Sequence, residues 1–283
     1  ILASAFLLTM TPAGFGETRS MENADGSYNL TSWDTHGGEQ IGASVALIEQ
    51  LALLGAPTAG WHGAGDVLVC SQDAMERWGE VAWLSHFMDE VPSGAQFGAT
   101  VVAHPEAHMG SNLLAVGAPG ISQVYLFQGV SSGQYWQLLG SIEGVPSSGF
   151  GTSIAMQDDI IAIGAPSEAG KGSVSIYTFD AMLNGGNAEF QGKAMGSDYK
   201  GEDPGEFGHA VALGFGGVFV GSPGNSPTDR GGMVSAYALP SGGDPMDVPL
   251  WSVEHGGDAA ARFGSALAMF GDRLAIGVPG PYA

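Results

Sequence analysis

Short apolar runs broken by glycine, and no sustained helical stripe, set the rhythm of this chain. Runs such as Leu113-Leu114-Ala115-Val116 and Ile160-Ile161-Ala162-Ile163 are apolar at every position, which predicts strands covered on both faces. Others alternate, as in Val67-Leu68-Val69, Val124-Tyr125-Leu126-Phe127, Val174-Ser175-Ile176-Tyr177 and Val234-Ser235-Ala236-Tyr237, and predict strands of mixed environment. More polar segments carrying an aromatic follow at Trp83-Leu84, Tyr135-Trp136-Gln137-Leu138, Phe190 and Leu250-Trp251-Ser252-Val253. The opening Ile1 to Leu8 run has the apolarity of a leader but no basic segment before it, and the register below reads it as one more strand.

These strands recur with a period. An aromatic or aliphatic residue followed by glycine appears at Ile41-Gly42, Phe97-Gly98, Phe150-Gly151, Phe207-Gly208 and Phe263-Gly264, spaced by 56, 53, 57 and 56 residues. Each pair leads into an apolar run that ends small, small, Pro: Gly55-Ala56-Pro57, Gly117-Ala118-Pro119, Gly164-Ala165-Pro166, Gly221-Ser222-Pro223 and Gly277-Val278-Pro279. Met10-Thr11-Pro12 is a worn sixth copy. Four strands per repeat make one blade of a β-propeller. The Pro-ended run is expected innermost, where glycine and alanine permit close approach and proline, lacking an N–H, stops the strand. The Phe ahead of each glycine is expected to wedge between adjacent blades, contributing about 2–3 kcal/mol per buried ring.

The paired Phe-Gly and Gly-Ala-Pro signatures, five times in register over nearly the whole chain, resemble the FG-GAP repeats of integrin α heads and of many secreted bacterial and algal proteins. The resemblance implies an all-β fold of four-stranded antiparallel blades in one domain over residues 1–283. A partial blade occupies 1–36, and repeats open near 37, 93, 146, 203 and 259, the last cut short. Both terminal half-blades contain the Pro-ended strand, so they overlap instead of complementing each other. That favours an excerpt of a six- or seven-bladed ring over closure of a smaller ring by the two halves. The resemblance also implies a protein-interaction or structural module of an extracellular or cell-surface assembly, with an organelle lumen as the other setting.

Composition narrows the function further. The formal charge is −21, from 29 acidic and 8 basic residues, which argues against nucleic acid, since phosphate binding needs Lys and Arg. Such a surface suits solubility, a cation or a basic partner. With 47 glycines and 15 prolines, many tight turns are expected. Cys70 is the single cysteine, so no intrachain disulfide forms, and its apolar setting reads as a buried strand position. Asn29-Leu30-Thr31 is the one glycosylation sequon, placed in a strand. No apolar run reaches the 18 residues of a membrane-spanning helix.

Integrin-type propellers hold calcium between the first and second strands of a blade, in acidic loops of six or more oxygens. Here those connections read mostly as tight hairpins, at Glu49-Gln50, Gln157-Asp158-Asp159, Phe215-Gly216-Gly217 and Gly271-Asp272. The exception is His104-Pro105-Glu106-Ala107-His108, which reads as an irregular loop with one acid. Glu22 to Ser27 reads as a turn before a Tyr28 strand, not a calcium loop. No metal and no cofactor is assigned. The seven histidines are spread over different repeats without a nucleophile motif, and Ser153, His209 and Ser265 read as one repeat position, so no catalytic residue is assigned. The expected partner surface is the face carrying the loops after the Pro-ended strands and before the Phe-Gly pairs, whose richest members are Trp61 and His62, Lys171, and Asp229 with Arg230. A protein partner is expected there, with a glycan as the other ligand class. The alternatives are a propeller hydrolase with an axial site, or a carrier region of a larger protein.

Overall fold

The glycine breaks and apolar runs resolve into sheets whose strands hydrogen-bond in chain order. The computed structural model describes residues 21–22, 28–29, 40–60, 63–72, 74, 78–87, 91–108, 111–129, 135–179, 188–196, 205–224, 231–240, 246, 248–255 and 261–280. A short antiparallel pair comes first, β1 (Met21–Glu22) with β2 (Tyr28–Asn29). Blade 1 is β3 (Ser44–Ile48), β4 (Leu51–Ala56), β5 (Asp66–Gln72) and β6 (Trp78–Trp83). Blade 2 is β7 (Thr100–His108), β8 (Ser111–Ala118), β9 (Gln123–Gly129) and β10 (Trp136–Glu143). Blade 3 is β11 (Ser153–Gln157), β12 (Ile160–Ala165), β13 (Ser173–Phe179) and β14 (Ala188–Met195). Blade 4 is β15 (Ala210–Gly214), β16 (Gly217–Ser222), β17 (Met233–Ala238) and β18 (Trp251–Glu254). A fifth sheet holds β19 (Leu267–Phe270) and β20 (Arg273–Ile276). The fold is all-β, built of β-propeller blades in sequence.

The first strands of successive blades, β3, β7, β11, β15 and β19, pack each on the next. They are therefore the innermost strands, and the sheets fan outward from them. This corrects the expectation that the Pro-ended strand lies at the axis. β4, β8, β12 and β16 are second in line, and they are the most buried because sheet neighbours pair with both edges while adjacent blades cover both faces. Register is constant across the second and third strands, where a valine faces the glycine of each Pro-ended run. The pairs are Gly55 with Val67, Gly117 with Val124, Gly164 with Val174 and Gly221 with Val234.

Tight hairpins join first and second strands as expected. Ile48 pairs with Leu51, Gln157 with Ile160, Gly214 with Gly217 and Phe270 with Arg273, which leaves two residues at each tip. Those tips use left-handed backbone, at Glu49 (φ 50°), Asp158 (φ 53°), Phe215 (φ 51°) and Gly271 (φ 55°), the geometry that matches strand twist. Blade 2 departs from the reading of an irregular loop. β7 runs through His108, which pairs with Ser111, and a register shift between His104 and His108 absorbs Pro105, which has no N–H for the ladder. Glu22 pairs with Tyr28 and Met21 with Asn29, so Tyr28 does lie in a strand, while residues 23–27, read as a turn, lie outside the described residues.

Blade-to-blade cores hold the fan together. Phe97 packs with Val67, Val69 and Leu84 of blade 1 and meets Tyr125 and Phe127 of its own blade edge-on, at 5.4 and 6.1 Å between ring centroids. Phe150 and Phe207 repeat the arrangement against Ile142 and Ala194 of the preceding blades, with Tyr177 and Tyr237 as edge-on partners. The wedge inferred from the Phe-Gly spacing is present at three interfaces, each ring fully or almost fully buried.

Candidate interaction face

The loops on one face of the fan are fastened in pairs. After four of the Pro-ended strands, a backbone N–H donates to the carbonyl two residues before the Phe-Gly pair that opens the same repeat. These bonds run from Gly120 to Ala95 (3.0 Å), Ser167 to Ser148 (2.9 Å), Gly224 to Gly205 (2.9 Å) and Gly280 to Ala261 (2.9 Å). The two loop families picked out from sequence therefore lie together, four times over.

Between the fastened residue and the Phe-Gly pair sits one residue in left-handed backbone. It is Gln40 (φ 55°), Gln96 (φ 57°), Gly149 (φ 70°), Glu206 (φ 55°) or Arg262 (φ 55°). Its carbonyl accepts the N–H three residues on, from Ala43, Ala99, Thr152, His209 and Ser265 respectively. Only Gly149 is the residue type that signals such a backbone, so this slot was not visible in the sequence. Its side chain is glutamine twice, then nothing, acid and base, while the backbone stays the same.

The glycines beneath the slot are required by space. Gly98 has φ 89°, and a Cβ there would stand 2.3 Å from the Asp66 carbonyl oxygen. A Cβ on Gly164 would stand 2.0 Å from the Gly208 carbonyl oxygen of the next blade. That same oxygen accepts a hydrogen bond from Ser153 Oγ at 2.7 Å, as the Gly98 oxygen does from Ser44 Oγ at 2.8 Å. Ser153 thus belongs to a different place from His209 and Ser265: it stands one residue further along its repeat. It tethers the next blade, whereas Ser265 Oγ turns back to the Arg262 carbonyl at 2.7 Å.

Two polar clusters were missed because their members come from different strands or blades. Glu206 accepts from Arg262 Nη2 of the next blade at 3.1 Å, and His209 Nδ1 lies 3.6 Å from the same carboxylate oxygen. Burial pushes the His209 pKa below its ordinary value; Glu206 opposes that shift and Arg262 adds to it. In blade 3 the buried Glu168 carboxylate accepts from Ser173 Oγ at 2.6 Å and from Lys193 Nζ at 2.7 Å, fixing the loop after Pro166 to the outer strand. Asp66 Oδ1 accepts from the Val67 and Ser85 N–H groups at 2.8 and 3.0 Å and plays a comparable part in blade 1.

Of the residues singled out from sequence, Lys171 is half-buried on this face and its backbone is structural. Its N–H donates to the Glu168 carbonyl at 3.0 Å and its own carbonyl accepts from Phe207 at 3.3 Å. Trp61, His62, Asp229 and Arg230 lie outside the described residues. Cys70 is buried, and burial followed by the Glu80 charge pushes its thiol up to about 12. Among the described residues, no three His, Cys, Asp or Glu side chains gather as a metal site.

No family model matches this chain, and no curated protein matches it. Among solved structures, Saccharomyces cerevisiae Sqt1 is similar over 76% of this chain and 48% of its own, at 13% identity and a TM-score of 0.47. This chain thus spans about half the length of that protein. The fold stands on the sheets, register and blade interfaces described above, independently of that likeness.

Proposed function

We propose that this chain is an FG-GAP-type propeller segment that acts as a non-enzymatic interaction or structural module of an extracellular, cell-surface or luminal assembly. One observation carries the reading: four successive repeats fasten their loops to each other through backbone hydrogen bonds while the side chains at the slot between them vary. Such a face is held in place before binding, which limits the ordering cost on association. Its side chains are free to set specificity without disturbing the blades. The formal charge of −21 favours a partner with a basic surface, which sets the sign of the salt dependence.

A photo-crosslinking amino acid at Gln96, exposed on this face, and at Lys171 provides the test, with Asp158 at a hairpin tip as the comparison. Incubation with extract and medium from the source should give the same adduct at 96 and 171, weakened by 0.5 M salt, and none at 158. Equal labelling at all three positions, or none on the loop face, would remove the proposal.

A further inference from the structure

Glu168, beneath the loop that follows Pro166, is the single acid or base among the described residues that is buried, at 8% exposure. One oxygen of its carboxylate accepts from Ser173 Oγ at 2.6 Å and the other from Lys193 Nζ at 2.7 Å. Lys193 stands on β14, the outer strand of blade 3, and is one of three lysines in a chain with 29 acidic residues. Withdrawing two such charges from water costs about as much as their attraction returns. A buried pair of this kind adds little net stability, and its use is explained by the geometry it enforces. The loop above it has a geometry that needs enforcing. Val174 lies eight positions after Pro166, whereas its counterpart Val124 lies five after Pro119. The extra length turns through left-handed backbone at Ala169 (φ 52°), Gly170 (φ 71°) and Gly172 (φ 84°), a conformation that alanine disfavours.

That loop passes its placement on to the next blade. The Glu168 carbonyl accepts from the Lys171 and Gly172 N–H groups at 3.0 and 2.9 Å, and the Lys171 carbonyl accepts from the Phe207 N–H at 3.3 Å. Ser167, just before Glu168, is fastened to Ser148, and Glu206, just before Phe207, fills the slot of blade 4. A run of bonds thus leads from Lys193 at the rim to two neighbouring parts of the loop face. We propose that Glu168 and Lys193 are positioning residues of that face: the carboxylate, held from the outer strand by the lysine, sets the place of residues 167–171 and, through the Lys171 carbonyl, the entry of the chain into blade 4. The pair governs recognition without touching the partner, since Glu168 is covered and Lys193 reaches it from the outer strand. This rests on the loop face being the partner surface, and adds what keeps its blade 3 to blade 4 sector in one shape.

Amide exchange on the whole chain, which needs no partner, tests this beside crosslinking from positions 96 and 171. The double variant Glu168→Met/Lys193→Met replaces the pair by apolar side chains and should keep the melting temperature within about 3 °C of wild type. In it, exchange at residues 170–172 and 207 should quicken at least tenfold while β12 and β16 keep their wild-type rates. The adduct from 171 should fall to a third or less while that from 96 persists. Lys193→Arg, which keeps the charge, should show wild-type exchange and both adducts. Unchanged exchange at 170–172 would overturn the proposal. Exchange that rises equally throughout blade 3, or a melting temperature lowered well beyond that margin, would overturn it too, marking the pair as support for the blade alone. So would a quickened loop that still yields the full adduct from 171. Absence of adducts from the wild-type protein removes the interaction-face reading by itself, and the exchange rates still decide whether the pair positions the loop.

Discussion

Replacing Gly164 by alanine tests the packing logic of the repeat at a single atom. The added Cβ would lie 2.0 Å from the Gly208 carbonyl oxygen and 2.3 Å from Ser153 Oγ. Real Cβ contacts do not fall below 3.0 Å, so the next blade must retreat by about 1 Å. The obstacle is backbone oxygen, which cannot rotate away as the end of a long side chain would. Forced overpacking of this kind costs about 1–3 kcal/mol. The retreat also strains two bonds that cross or brace the interface, Ser153 Oγ to Gly208 O at 2.7 Å and Gly151 N to Gly164 O at 3.0 Å, each worth about 1 kcal/mol net.

The expected loss is therefore about 3–4 kcal/mol, which for a chain of this size lowers the melting temperature by roughly 10 °C. Gly79→Ala is the control: a Cβ there meets nothing within 4 Å, and the expected change is within about 0.5 kcal/mol. Urea and thermal unfolding of the two variants beside wild type, at one scan rate, measure the difference. A Gly164→Ala protein within 1 kcal/mol of wild type would refute the claim that blades meet through backbone at this glycine.

The other predictions concern the slot before the Phe-Gly pairs. Gln96→Gly should stabilise by about 0.5–1 kcal/mol in urea unfolding, because Gln96 holds φ 57° where blade 3 already uses Gly149; destabilisation would show that the glutamine side chain matters more than the backbone. Arg262→Gln removes a half-exposed ion pair to Glu206 at 3.1 Å and should change stability by less than about 1 kcal/mol, a larger loss implying that the pair holds blade 5 to blade 4. His209 has its pKa lowered in the fold, so the unfolded chain binds its proton more readily. Its contribution to stability is complete above the unfolded value of about 6.5 and fades as pH falls through the folded one. His209→Gln should flatten the melting temperature against pH between neutrality and pH 5, and an unaltered profile would assign the acid sensitivity elsewhere.

The blades were legible because their requirements are backbone requirements that recur. Glycine under Phe97, Phe150 and Phe207, and proline at the end of each second strand, are what close approach and strand termination demand, and no other residue types meet them equally well. The slot was hidden for the opposite reason. Left-handed backbone at Gln96, Glu206 and Arg262 costs little enough for ordinary side chains to occupy it, so nothing in their identity announces it. The Glu206–Arg262 pair spans 56 residues of sequence and two blades, beyond the reach of any local pattern. The rank of strands within a blade was misread because full apolarity signals coverage on both faces, and the strand so covered is second from the axis. Continuation of β7 through Pro105 was missed because proline ordinarily ends a ladder, whereas a register shift let this one pass.

The division between fixed backbone and free side chain also says where specificity can reside. Phe150, Gly151 and Gly164 are committed to the blade interface, and changing them alters stability before it alters recognition. Gln40, Gln96, Gly149, Glu206 and Arg262 share one backbone geometry and one place on one face, yet span amide, nothing, acid and base. Since the geometry is met by all five, blade packing cannot be what selects among them. Neighbouring slots are also close enough to interact, as Glu206 and Arg262 do, so under the proposed function a partner would meet combinations of adjacent repeats instead of single residues. A chain with 29 acidic and 8 basic residues that places one of its few arginines in such a slot sets it 3.1 Å from Glu206 of the neighbouring slot, so the junction of blades 4 and 5 carries a compensated ion pair on an otherwise negative body.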